Sequence, residues 1–177
     1  WGLTQWTSTL GEPSLAATLG TTFSLAVTRQ VIAILIGLPV AWLVARTDLP
    51  GRRWLEFGFW VAVFLPSLTV LVGWILLLDG YRGVANKVIE GLFGVAHGPV
   101  DIFSTWGIVF VHVMGATLGI KVMFLAPAFR ALDSTLEEAS HACGAGTFKT
   151  LLRVSAPLML PAILVATLLG LINSLES

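Results

Sequence analysis

Two stretches of this sequence, Phe57–Leu78 and Val154–Leu175, contain no charged side chain at all. A helix needs about 20 mostly apolar residues to cross roughly 30 Å of hydrocarbon, and each stretch has that length. Phe23–Ala45 is as long, with Arg29 and Gln30 near its start. Trp106–Phe129 is long enough too, although it holds His112, Lys121 and Pro127. Together the four runs predict an all-α, polytopic transmembrane bundle with spans at about 23–45, 57–78, 106–129 and 154–175. Composition agrees: 11% of residues are charged and 56% hydrophobic, where a soluble domain carries about 25% charged residues.

Lys and Arg favour the cytoplasmic loops of membrane proteins. Arg46, Arg52 and Arg53 follow the first run, and Arg130, Lys149 and Arg153 separate the last two. The intervening loop holds only Arg82 and Lys87, and Trp1–Thr22 has neither Lys nor Arg. The two richer loops are therefore expected in the cytoplasm, with Trp1–Thr22 and Asp79–Thr105 outside. Trp54, Trp60, Trp74 and Trp106 fall near span ends, where indole rings favour the interface, and Trp42 is expected at the cytoplasmic end of the first span. Trp1 is no initiator residue, no signal-peptide pattern precedes Thr22, and Ser177 follows directly on an apolar run. The sequence reads as an internal part of a longer chain. A formal net charge of zero gives nucleic acid no electrostatic hold, and the single cysteine, Cys143, excludes an intrachain disulfide or a cysteine-based metal site.

Prolines and glycines interrupt the runs at Gly37, Pro39, Pro66, Gly73, Gly115, Gly119, Pro157 and Pro161. Such breakers are tolerated where neighbouring helices or a cavity satisfy the freed backbone groups. Gly115 and Gly119 also have the spacing that lets membrane helices approach closely. In the outer loop, Val84, Val88 and Leu92 share one helical face and Lys87 can pair with Glu90. A short surface helix ended by Gly94, Gly98 and Pro99 or a plain connection both satisfy that pattern.

Leu132–Ala162 is the most informative segment. Ser134 with Glu137 and Thr135 with Glu138 form two overlapping capping-box patterns. The helix they predict carries Leu132, Leu136, Ala139 and Cys143 on one face, with Glu137, Glu138 and His141 largely elsewhere. Gly144 can end it in the left-handed conformation, and Thr147 can cap a second helix that leads through Lys149 and Arg153 to Pro157. A helix, a glycine break and a second helix below the membrane suit docking on a cytoplasmic partner, and equally an ordinary re-entry loop.

This stretch resembles the motif of binding-protein-dependent, type I ABC importer permeases: Glu-Ala-Ala, three residues, Gly, nine residues, Ile-x-Leu-Pro. Glu138, Ala139 and Ser140 stand for the first three, Gly144 for the glycine, and Val154, Ser155, Ala156 and Pro157 for the close. Ser140, Val154 and Ala156 depart from the pattern by small or apolar replacements. Arg46-Thr-Asp-Leu-Pro-Gly-Arg52, Gly83–Phe93, Leu136–Ala139 and Ser174–Ser177 are similar to the ferric-iron branch of the family. The resemblance implies a multi-pass bacterial inner-membrane permease subunit whose segment 130–153 couples to a separate ABC ATPase. Glu138, Ala139, Ser140, Gly144 and Pro157 are then the coupling residues. Implied partners are the ATPase subunits, an extracytoplasmic solute-binding protein, a second permease half and membrane lipid. The implied solute is ferric iron, with polyamine, phosphonate or thiamine as competitors.

Catalytic chemistry has little support. In Gly144-Ala-Gly-Thr-Phe-Lys149-Thr150, Phe148 stands where a phosphate-binding loop needs glycine, so no cofactor is expected on this chain and ATP is expected to be used by the partner. No nucleophile elbow or zinc motif occurs. Ionisable groups inside a bilayer are costly and are functional candidates. Arg29, Lys121, Asn173 and Glu176 are the candidates for lining a translocation path, although Lys121 and Arg29 can also snorkel to a surface or pair with neighbours. His112 is expected to be packed and hydrogen-bonded. An ion-coupled secondary transporter or channel without an ATPase is the alternative, using Lys121, His112 and Arg29.

Overall fold

The computed structural model describes residues 12–94 and 101–176, the side chains of Pro13 and Glu176 excepted. Its helices are α1 (Pro13–Arg46), α2 (Arg52–Phe64), α3 (Ser67–Leu78), α4 (Val84–Phe93), α5 (Thr105–His112), α6 (Leu118–Ala131), α7 (Thr135–Ala142), α8 (Thr147–Thr150), α9 (Ala156–Leu158) and α10 (Leu160–Glu176). Wider π turns at Val113–Thr117 and Leu151–Ser155 join α5 to α6 and α8 to α9.

Proline decides where the apolar runs bend. Pro66 disfavours the helical conformation of the residue before it, and Leu65 is extended at φ −70°, ψ 135°. The expected span over 57–78 is therefore two helices, α2 and α3, bent by 109°. Pro161 cannot donate to the carbonyl four residues back. The fourth run accordingly breaks at Met159, where Thr147–Leu158 and Leu160–Leu175 meet at 75°. Ser14–Arg46 and Thr105–Ala131 are each long and apolar enough to cross a membrane without such a break. α1 starts at Pro13, well before Phe23, with proline in the first turn, where its missing N–H costs nothing.

Three helices make the core. α1 packs along α6, and α10 lies against both. Ala41, Trp42, Val122, Leu125, Phe129 and Ala166 are buried between them. Trp42, about one turn before the end of α1, faces the bundle interior. α2 lies beside α6, and a Cβ at Gly119 would come within 3.0 Å of the Phe59 carbonyl oxygen; the small residue lets the two backbones approach. Gly115 departs from helical geometry, at φ −79°, ψ −136°, inside the first π turn.

The outward surface is apolar. Leu35, Phe64, Leu68, Leu76 and Leu168 are exposed, as expected of a surface that meets lipid or another protein. In the loop after α3, α4 forms with Lys87 Nζ donating to Glu90 Oε2 at 2.7 Å, and Gly94 caps it at φ +65°. Gly98 and Pro99 lie outside the described residues. Before α4, Asp79 Oδ1 accepts from the N–H groups of Arg82 (2.7 Å) and Tyr81 (2.9 Å). These bonds hold its carboxyl below the usual range.

Candidate functional site

The loop between α6 and α10 departs from its sequence pattern in an instructive way. Neither capping box forms: Ser134 is itself helical and its hydroxyl caps nothing. Asp133 takes that role, its Oδ1 accepting from the Thr135 N–H at 3.0 Å. The bonds from Thr135 lower the Asp133 pKa. Glu137 is thereby free to turn inward. Its Oε1 accepts from the Ser155 hydroxyl at 2.6 Å, and its Oε2 lies 3.6 Å from Arg46 Nε. Arg46 Nη2 also donates to the Leu132 carbonyl at 2.6 Å.

One turn along α7, the Ser140 and Thr150 hydroxyls lie 2.9 Å apart. The inward face of α7 is therefore polar, while Leu136, Ala139 and Cys143 are exposed. The reason lies in what α7 packs against: Thr150 and Ser155 are buried, and buried hydroxyls take hydrogen-bond partners. Apolar periodicity alone did not say which face turns inward.

Gly144 turns the chain at φ +80°, a conformation that costs an L side chain energy. The Gly144 N–H donates to the His141 carbonyl (2.9 Å), and the Ala145 N–H to that of Ser140 (3.1 Å). α8 then begins after Gly146, with no side-chain cap from Thr147. Glu138, Ala139, Gly144 and Pro157 are exposed, and Ser140 is half-buried.

A cavity of 380 Å³ opens between α1, the start of α3, the first π turn and the end of α10. Its polar lining is Arg29, Ser67, His112, Thr117, Asn173 and Ser174. Arg29 Nη2 donates to the Ser174 carbonyl at 2.5 Å, and Gln30 Nε2 to the Ser174 hydroxyl at 2.8 Å. His112 Nδ1 donates to the Ile108 carbonyl at 2.7 Å, so this imidazole is tied to its own helix. π turns are frequent at functional sites, and here one forms a cavity wall.

The structure thus brings Arg29 and Asn173 to one cavity. Lys121 is not among the lining residues; it is fully buried and donates to the Ala166 carbonyl. It neither snorkels nor reaches a surface. Glu176 ends α10, and its side chain lies outside the described residues. Sequence reasoning missed Glu137 and Ser155 as a pair, and Ser67 and Thr117 as cavity residues. The available signal was a hydroxyl placed within an otherwise apolar run.

An all-helical bundle with an apolar outer surface, broken spans and an exposed helix–glycine–helix loop defines a polytopic membrane transport domain. Residues 33–177 match the binding-protein-dependent transport system inner membrane component family, and the chain belongs to that family. It is part of a multi-pass inner-membrane component of that family.

Its relatives include the probable sulfate transport system permease protein cysT of Anthoceros angustus, 30% identical over 90% of this chain and 53% of that protein. The molybdenum transport system permease protein ModB of Escherichia coli K12 is 33% identical over 81% of this chain and 62% of its own. The spermidine/putrescine transport system permease protein PotB of Haemophilus influenzae is 28% identical over 94% and 57% respectively. The chain spans between half and two-thirds of the length of these relatives. A crystal structure of a bacterial ABC transporter involved in import of the acidic polysaccharide alginate shares the fold. Its TM-score is 0.76 at 15% identity, covering 99% of this chain and 62% of that one.

Proposed function

We propose that this chain forms part of the solute pathway of an ATP-driven importer and receives the stroke of a separate ATPase through α7 and Gly144. The observation that supports this most is the loop itself. α7 presents Glu138 and Ala139 outward while its inner face is bonded to Arg46 and Ser155. Such a helix can be gripped from outside and can move the spans behind it. Glu138, Ala139, Ser140, Gly144 and Pro157 are the proposed coupling residues. The cavity at Arg29 and Asn173 is the proposed part of the pathway.

An external solute-binding protein would deliver the solute, a second permease half would complete the path, and ATP would be hydrolysed by the partner. Ferric iron is the solute implied by the loop resemblance. The relatives named above carry sulfate, molybdenum and polyamine in their names, so uptake must be measured for all four.

The test is affinity purification of the full-length chain in mild detergent, with mass spectrometry of what accompanies it. An ATPase subunit that accompanies the wild type and is lost from the Glu138→Ala, Gly144→Val variant supports the reading. An intact chain without an ATPase in either sample sinks it.

A further inference from the structure

Four parts of the chain meet around one ion pair. Glu137 lies on the inward face of α7, and Arg46 is the last residue of α1. Ser155 ends the π turn that feeds the fourth run, and Leu132 follows the last residue of α6. Arg46 forms an ion pair with Glu137 at 3.6 Å and donates to the Leu132 carbonyl, and the Ser155 hydroxyl donates to Glu137. The pair is shielded: the Arg46 and Glu137 side chains are 14% and 15% exposed, and Ser155 is fully buried. Solvent screening, which makes exposed ion pairs weak, is reduced for such a pair.

We propose that Glu137 is the positioning residue that carries movement of α7 into the membrane spans, through Arg46 into α1 and through Ser155 into the fourth run. This rests on the reading of α7 as the helix gripped by the ATPase, and it separates two tasks within adjacent residues. Glu138 faces outward and serves docking. Glu137 faces inward, where it cannot touch a partner on the exposed face, and serves transmission. Coupling between distant sites needs contacts that hold two elements in a fixed relation as they move. Among the described residues, the Glu137 carboxylate is where α7 is tied to both α1 and the start of the fourth run. The Ser140–Thr150 bond adds a second tie from α7 to α8 alone.

The test uses the full-length permease purified with its ATPase and reconstituted in nanodiscs. Cys143 is replaced by Ser, and Asn173→Cys supplies a reporter at the cavity. The labelling rate by a membrane-impermeant maleimide is measured with and without a non-hydrolysable ATP analogue. With Glu137 intact, nucleotide changes that rate. In the Glu137→Gln variant the ATPase still co-purifies, and the nucleotide-dependent change shrinks by about fivefold or more.

Reversing the pair, Arg46→Glu with Glu137→Arg, restores part of the response; a merely structural role for Glu137 gives no such rescue. A full response in Glu137→Gln overturns the proposal. Should that variant lose its ATPase, Ser155→Ala decides: Ser155 is buried away from any partner, so docking survives and the response is expected to weaken. An unchanged response there overturns the proposal as well. Absence of any nucleotide effect with Glu137 intact sinks the underlying importer reading and the proposal with it.

Discussion

Lys121 and Gly170 face each other where α6 meets α10, and the Lys121 ammonium occupies the space a side chain at position 170 would need. The amide oxygen of Gln30, from α1, borders the same space. One lysine therefore reads the spacing of all three core helices. Between membrane helices there is little hydrophobic drive, so packing and polar tethers set association.

Gly170→Ala is expected to destabilise the bundle by about 1–3 kcal/mol, the usual range for overpacking a tight site. Thermal unfolding of the detergent-purified full-length protein reads it. Lys121→Met removes the nearer of the two side-chain ends the new methyl meets, so the double variant should recover by at least about 0.5 kcal/mol relative to additivity. Additive losses would show that the ammonium does not occupy this space.

Ser140→Ala leaves the buried Thr150 hydroxyl without its hydrogen-bond partner, at an expected cost of about 1–3 kcal/mol. Replacing both, as Ser140→Ala with Thr150→Val, removes donor and acceptor together and should come close to neutral. Chemical denaturation of the four variants in one detergent gives the cycle. An equal loss in the double variant would argue that the hydroxyl pair contributes nothing.

Asp133 caps α7 as a carboxylate, with its pKa held below the ordinary 3.8 by the bonds from Thr135. A lowered folded-state pKa means the cap is fully present above the unfolded value and is lost as pH falls through the folded one. Hydrogen exchange of the Thr135 amide should therefore be protected near neutral pH and lose protection only below about 3.8, once the base dependence of exchange is subtracted. Asp133→Asn should flatten that pH dependence.

At Gly144 no atom lies within 4 Å of where a Cβ would stand, so the cost of substitution is conformational. Left-handed backbone costs an ordinary residue about 1–2 kcal/mol, and asparagine tolerates it best. Gly144→Asn should therefore keep most of the ATPase in a co-purification where Gly144→Val loses it. Equal loss from both would point to a contact made by the glycine itself.

The spans were legible because lipid demands long apolar runs and leaves little else that could place them. Pro66 and Pro161 were visible as breakers, but the angle at each depends on what the two halves pack against, which local sequence does not hold. The helix, Gly144 turn and second helix of the loop could likewise be read from spacing. The facing of α7 could not. Ser134 and Glu137 offered a local solution in the capping box, whereas the observed partners of Glu137, Arg46 and Ser155, come from other elements. Arg29 and Asn173 were chosen for their chemistry, and their shared cavity required the fold.

The break at Pro66 has a bearing on the surrounding lipid. α2 and α3 have 13 and 12 residues, or about 20 Å and 18 Å of helix. Neither matches roughly 30 Å of hydrocarbon, and at 109° they cannot add end to end. Where Phe64 and Leu68, both exposed, face lipid, acyl chains meet a protein wall shorter than the bilayer and must compress or tilt to cover it. Bilayers of longer acyl chains should then raise the energy of this bend, and shorter ones relieve it.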